Sequence, residues 1–272
     1  MPARAARPRE DPMATTYGSY LRIPELLSIQ TPVSDGPEHD EMLFIVIHQV
    51  YELWFKQQIH EVRHAERQLR AGDAAGGMST LRRMLTILKT MVAQIDVLET
   101  MTPVQFLSFR RFLESSSGFQ SWQFRAFEFA LGKKSPRFTA MHAEGTPERA
   151  ALDAAYRAPT LWDAFAEFLV QRGQPVPAST RNRDVAQPVE PDPAMQAVLL
   201  GVYRHHGDLR PLCELLVDLD EGIQEWRYRH VKMVERTIGF KQGTGGSSGA
   251  EYLRSTLFRP LFPDLWAIRT DL

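Results

Sequence analysis

An all-α fold, a helical bundle carrying a small helical and irregular excursion, is what the sequence predicts, and three observations support it. Apolar residues recur at three- and four-residue steps through several long stretches. No stretch sustains the period-two alternation of a half-buried strand. Breaks rich in glycine and proline separate the periodic stretches and mark where helices turn back on one another.

The first long helix is predicted from Asp40 to Arg70, where Leu43, Phe44, Ile47, Val50, Tyr51, Trp54, Phe55 and Ile59 form one apolar stripe with no Gly or Pro. His39-Asp40-Glu41 places acids at its start, where the helix dipole favours them. After a break at "AGDAAGG" a second helix runs from about Ser79 to Thr100 on Leu81, Met84, Leu85, Leu88, Met91, Val92, Ile95 and Leu98. Pro103, favoured in a first helical turn, opens a third, "PVQFLSFRRFLES", and "SSSG" stops it. A fourth begins near Phe119 and carries "QSWQFRAFEFAL" to Gly132. Residues 133–193 are looser, with a helical stretch at Leu161–Val170 and five prolines between Pro175 and Pro193, and are expected to form a surface excursion or small cap. Two more helices run from about Met195 to Ile238, separated near "HHGDLRP". Residues 1–14 have no apolar core of the kind a secretory signal carries and are expected to be a flexible leader to a single domain over 15–272.

Composition narrows the functional classes. A chain of 272 residues, 43% hydrophobic, can bury a substantial core. Lys plus Arg number 32 against 33 Asp plus Glu, so no charge excess points to nucleic acid or an anionic membrane, and a charged ligand must be met by local residues. No apolar run approaches the roughly 20 residues of a membrane span. Cys213 is the one cysteine, which excludes intramolecular disulfides and Cys-based zinc sites and suits a reducing compartment, the cytosol by default.

Three side chains have an open choice between structure and chemistry. His48 sits in "FIVIHQVYELWFKQQ" with no obvious charged partner, either a hydrogen-bonded core histidine or, with Phe44 one turn earlier, part of a pocket wall. Phe106, Arg110 and Leu113 fall at i, i+4 and i+7. A guanidinium on an apolar stripe is costly without an anion, unless Arg110 lies at the stripe's edge beside Arg111. His230 shares a face with Trp226, Met233 and Val234, the setting of an axial haem ligand and equally of a half-buried histidine. Glycine-rich "KQGTGGSSG" lacks the order of a phosphate loop and fits a mobile loop closing over a small ligand, with Thr244 as a hydrogen-bonding group. Glu61-x-x-His64 has the spacing of a di-iron ligand pair, but no second Glu-x-x-His exists, so His60 and His64 are expected on a charged surface face.

Six blocks in order resemble the tryptophan 2,3-dioxygenases of bacterial type: "YGSYL", "HDEMLFIVIHQVYELWFKQQ", "LETMTPVQFLSFRRFL", "SSGFQS", "WRYRHVKMVERTIG" and "GTGGSSGAEYLRST". The resemblance implies a cytoplasmic haem enzyme that inserts both atoms of O2 across the indole C2–C3 bond of L-tryptophan. The product is N-formyl-L-kynurenine, at the entry to the kynurenine pathway. It implies one haem b per subunit, set in the bundle and ferrous when active, and a homotetramer built as a dimer of dimers, with no nucleic-acid or membrane partner. By motif position His230 matches the axial iron ligand, and His48 the distal histidine that meets the indole N–H. Phe44 matches an indole-packing residue, with Ile45, Val46 and Ile47 counted beside it. Arg110 matches the grip on the substrate carboxylate, and Thr244 the contact to its ammonium and carboxylate. Phe106, Leu113, Ser117 and Gly118 match the remaining pocket and haem-edge positions. Many bacterial members carry tyrosine where this chain has Phe106, so a phenol hydrogen bond is expected to be absent here. Tyr17 and Tyr20 match N-terminal tyrosines that enter a neighbouring subunit's pocket.

Overall fold

The computed structural model describes residues 15–36, 38–114, 116–239, 241 and 253–272, and among them there is no β-strand. The expected leader at 1–14 and the loop residue Thr244 lie outside the described residues. Two short helices, α1 (Tyr17–Leu21) and α2 (Ile23–Leu26), precede the frame of the molecule, α3 (His39–Arg70) and α4 (Ala74–Leu98). Smaller helices follow: α5 (Pro103–Arg110), α6 (Trp122–Ala130), α7 (Pro136–Thr139), α8 (Pro147–Arg157), α9 (Leu161–Gln171), α10 (Ala178–Arg181) and α11 (Pro193–His205). The 29-residue α12 (Arg210–Ile238) and the short α13 (Pro263–Ala267) follow. No helix among the described residues is long and apolar enough to cross a membrane.

Helices α3, α4 and α12 pack side by side, with α6 and α9 closing the far side of α3. The acids at the start of α3 act by contact as well as through the dipole. Glu41 is buried, and its carboxylate accepts the Val33 N–H at 2.7 Å, the Ser34 N–H at 3.2 Å and the Ser34 hydroxyl, which ties the entering loop to the first turn. Helix α4 begins five residues earlier than the periodicity predicts, running through Gly76 and Gly77. Asp73 caps it by accepting the Gly76 N–H at 2.9 Å, and a Cβ at Gly77 would stand 2.9 Å from a Leu69 methyl, so glycine lets α4 start tight beneath the end of α3. A similar close approach brings α12 to α4, where a Cβ at Gly222 would stand 2.7 Å from a Leu88 methyl.

The segment expected on the surface contributes one of the most enclosed elements. In α9, Trp162, Phe165, Phe168 and Leu169 are buried, and the helix packs on α3. It is apolar on nearly all sides, as a helix inside a core must be. Its start is fixed by a reciprocal cap of Thr160 and Asp163, with Arg183 donating to both Asp163 oxygens at 2.6 and 2.9 Å. At the other end of the chain the buried Asp220 of α12 gathers the C-terminal segment. Its Oδ2 accepts the N–H groups of Leu261 at 2.7 Å and Phe262 at 3.0 Å and the Trp266 indole N–H at 2.9 Å, while Oδ1 accepts Gln224 Nε2 at 3.1 Å.

Candidate active site

His48 lies in the third turn of α3, and its Nδ1 is 2.7 Å from the carbonyl oxygen of Phe44. A carbonyl can only accept, so Nδ1 carries the proton and donates. In the neutral ring, Nε2 is then left with a lone pair. Burial lowers the pKa of His48, partly offset by the Phe44 carbonyl and by Glu52, so the neutral form is favoured. The ring remains accessible from the cavity it lines. Phe44 lies against it with the rings tilted by 37° and 4.0 Å between centroids, and meets Phe106 at 5.7 Å and Phe109 at 5.6 Å.

The facing element is α12. Its Trp226 ring lies nearly parallel to His230 one turn later, 5.3 Å away at 13°. Trp226 is itself set by Phe124 at 4.9 Å, Phe55 at 6.1 Å and Tyr51 at 6.3 Å, and the Tyr51 hydroxyl donates to the Met91 carbonyl at 2.7 Å. His230 therefore projects from a braced aromatic box. Burial, aided by His48 and Arg125, brings its pKa down to about 4, so the imidazole is neutral at physiological pH and has a lone pair to offer a metal.

Both histidines line one cavity of about 240 Å³. Phe55, Ile95, Leu98, Phe106, Phe124, Met233 and Val234 give it apolar walls, and Arg110, Ser117 and Gly118 line it as well. Ser117 caps a short 3-10 turn at Gly118–Gln120 by accepting the Phe119 N–H at 3.3 Å. The lining also includes a cluster of charge. Glu128 accepts Arg125 Nη1 at 2.6 Å on one oxygen, and Lys133 Nζ at 3.0 Å and Arg227 Nη2 at 2.9 Å on the other. Burial would raise the Glu128 carboxyl, but the three cations outweigh it and hold its pKa at about 2.

The structure thus brings His48, Phe106, Arg110, Ser117, Gly118 and His230 to one cavity, with Phe44 against His48 at its rim. Other expected positions fall elsewhere. Consecutive helical residues point about 100° apart and cannot all face one space. Of Ile45, Val46 and Ile47, Ile47 is turned into the core, Val46 is exposed on the outside, and none of the three lines the cavity. Leu113 also misses it, because α5 ends at Arg110 and the chain passes through a 3-10 turn, Arg111–Leu113, to Glu114 at φ +46°, which breaks the i+7 register. Tyr17 and Tyr20 are 77% and 76% exposed on α1 and do not enter this chain's own cavity. His60 is exposed and His64 half-buried, with Arg67 Nη2 3.4 Å from its Nδ1.

The charged cluster escaped sequence reading. Its signal was available: Arg125 and Glu128 at i, i+3 inside the otherwise apolar "WQFRAFEFA", and a second arginine, Arg227, on the inward face of α12 beside Trp226.

Comparison with known proteins places the chain among relatives of one kind. The family model of tryptophan 2,3-dioxygenase matches residues 3–146 and 192–272. The chain is 59% identical over 259 residues to a tryptophan 2,3-dioxygenase of Herpetosiphon aurantiacus, covering 95% of this chain and 99% of that one. It is 56% identical to one of Anaeromyxobacter sp. (strain K), over 95% and 97%, and 46% identical to one of Caulobacter vibrioides, over 94% and 98%.

Proposed function

Because the chain belongs to the tryptophan 2,3-dioxygenase family, we propose that its cavity holds a haem ligated by His230 and seats L-tryptophan between that haem and His48. The enzyme adds both atoms of O2 across the indole C2–C3 bond to give N-formyl-L-kynurenine, the first step of tryptophan breakdown by the kynurenine pathway. The observation that carries the site assignment is the union, in one apolar cavity, of a neutral imidazole on α12 with a tautomer-fixed imidazole on α3.

The residues suit a haem. His230 offers a neutral nitrogen, the walls are largely apolar, and buried cations in the lining suit carboxylate arms. When bound, one haem b per subunit supplies the ferrous iron at which O2 reacts. The chain's own residues do the rest. Phe44 and Phe106, two rings 5.7 Å apart, offer apolar contact to the indole, and Phe106 adds no hydrogen bond of its own. Nε2 of His48 accepts the indole N–H, which orients the ring. The indole N–H is a weak acid, so holding the ring in place, not removing its proton, is the role the histidine can fill. Arg110 takes the substrate carboxylate, and Thr244, in the glycine-rich loop, takes the ammonium and carboxylate. Held at both ends, the substrate presents C2 and C3 in one orientation. Tyr17 and Tyr20, exposed here, reach the site of a neighbouring subunit in a homotetramer. The buried single cysteine, Cys213, fits a reducing, cytoplasmic setting.

A purified, dithionite-reduced sample examined anaerobically with and without L-tryptophan, then mixed with O2, tests the proposal. A Soret band that shifts with L-tryptophan, followed by N-formylkynurenine formation, is expected. Pure protein that takes up no haem, or haem protein that releases no product, rules it out.

A further inference from the structure

Glu128 is surrounded by more positive charge than it can neutralise. Arg125, Lys133 and Arg227 all pair with its single carboxylate, which leaves two positive charges in excess. The side chains are 8%, 23% and 4% exposed, and that of Glu128 2%, so solvent does little to absorb the surplus. Two guanidinium groups are also incompletely bonded: Arg125 Nε and Arg227 Nη1 are buried with no hydrogen-bond acceptor. Arg125 stands 4.0 Å over the Phe138 ring and 5.0 Å from that of Phe124, which spreads its charge but accepts none of its N–H groups in the plane of the fork. A cluster that only joined α6 to α12 would need one arginine. All four charged residues line the cavity that holds His48 and His230.

We propose that this cluster receives the two carboxylate arms of the porphyrin, with Arg125, Lys133 and Arg227 as the charges that fix which edge of the haem enters. The proposal rests on the haem reading above. Two excess cations balance a dianion, and the apolar walls beyond them suit the disc. The one carboxylate of the amino-acid substrate has Arg110, and needs no second cationic site.

The test compares affinities of the 272-residue chain, prepared without haem, for protohaem and for its dimethyl ester, in which both carboxylates are capped as neutral methyl esters. The unaltered protein is expected to prefer the diacid by roughly tenfold or more, because a buried charge pair loses much when one partner is removed. Lys133→Met, at the least buried position and with both arginines still on Glu128, is expected to shrink that preference several-fold. Glu128→Gln is expected to keep or widen it. Equal binding of the two porphyrins by the unaltered protein, or an unchanged ratio in Lys133→Met, overturns the proposal. Protein that binds neither porphyrin overturns the haem reading itself. A parallel titration with L-tryptophan and tryptamine separates the two acids: if Lys133→Met narrows the preference for L-tryptophan and leaves the porphyrin ratio intact, the cluster serves the substrate and the proposal fails.

Discussion

Replacing Asp220 by Asn keeps the shape of a fully buried side chain and removes its charge. Three donors converge on one oxygen, the N–H groups of Leu261 and Phe262 and the Trp266 indole, at 2.7, 3.0 and 2.9 Å. The amide can turn its oxygen toward these three. Its NH2 then meets Gln224, which must flip its own amide to accept. A hydrogen bond to a charged group contributes about 1.5–3 kcal/mol and a neutral one about 1 kcal/mol, so the three bonds together lose about 3 kcal/mol. Asp220→Ala strands the donors outright and should cost about 5 kcal/mol, since each unsatisfied buried donor costs about 1–3 kcal/mol. Urea unfolding at one fixed protein concentration measures both losses, the fixed concentration holding any association constant. A loss below about 1 kcal/mol for Asp220→Asn would refute the view that this carboxylate holds the C-terminal segment to α12.

If Arg110 holds the substrate carboxylate, kcat/KM for tryptamine should fall by roughly 100-fold or more relative to L-tryptophan, and Arg110→Ala should erase most of the difference. Equal turnover of the two substrates by the unaltered enzyme removes that role. If Nε2 of His48 accepts the indole N–H, His48→Ala should slow L-tryptophan and leave 1-methyltryptophan, which has no N–H, near its own starting rate; matched losses on both count against the hydrogen bond. Glu66 carries a pH test. Burial, against the opposing pull of Arg70, raises its pKa to about 7. A carboxyl raised in the folded state is fully accommodated below its unfolded pKa, and stability then drops as pH climbs from about 4.5 through 7. Glu66→Gln should therefore stabilise the protein at pH 8 by up to about 3 kcal/mol and have little effect at pH 4, checked by paired denaturation curves; a gain that does not vary with pH contradicts the assignment.

Long helices were the most legible part of the chain, because α3, α4 and α12 each repeat one apolar face over many turns and no other structure satisfies that period. What the period could not convey was close approach. "AGDAAGG" reads as a break, yet Gly76 and Gly77 are helical because Asp73 caps the turn and Leu69 leaves no room for a side chain. Helix α9 was found but expected outside, since nearby prolines suggested a surface path and burial depends on which distant helix covers it. At the site, single residues at helical spacing, such as Phe44 with His48, were readable from periodicity. Runs were not: Ile45, Val46 and Ile47 belong to three directions, and Leu113 lost its register when α5 gave way to a 3-10 turn. Glu128 with its three cations was the hardest to foresee, because its partners come from α6, the turn after it and α12.

Helix α12 joins two regions of different character. From Leu212 to Ile223 it is sealed in the core and fastened through Asp220, while from Trp226 onward it faces the cavity. At 1.5 Å per residue the fastening lies about 15 Å from His230, three turns up the same rod. Asp220 and its partners Gln224, Leu261, Phe262 and Trp266 are not among the residues that line the cavity. The same rod is therefore held at one end by backbone and indole donors and at the other lines an open space, so a change at Asp220 and a change at the cavity act on one helix from opposite ends.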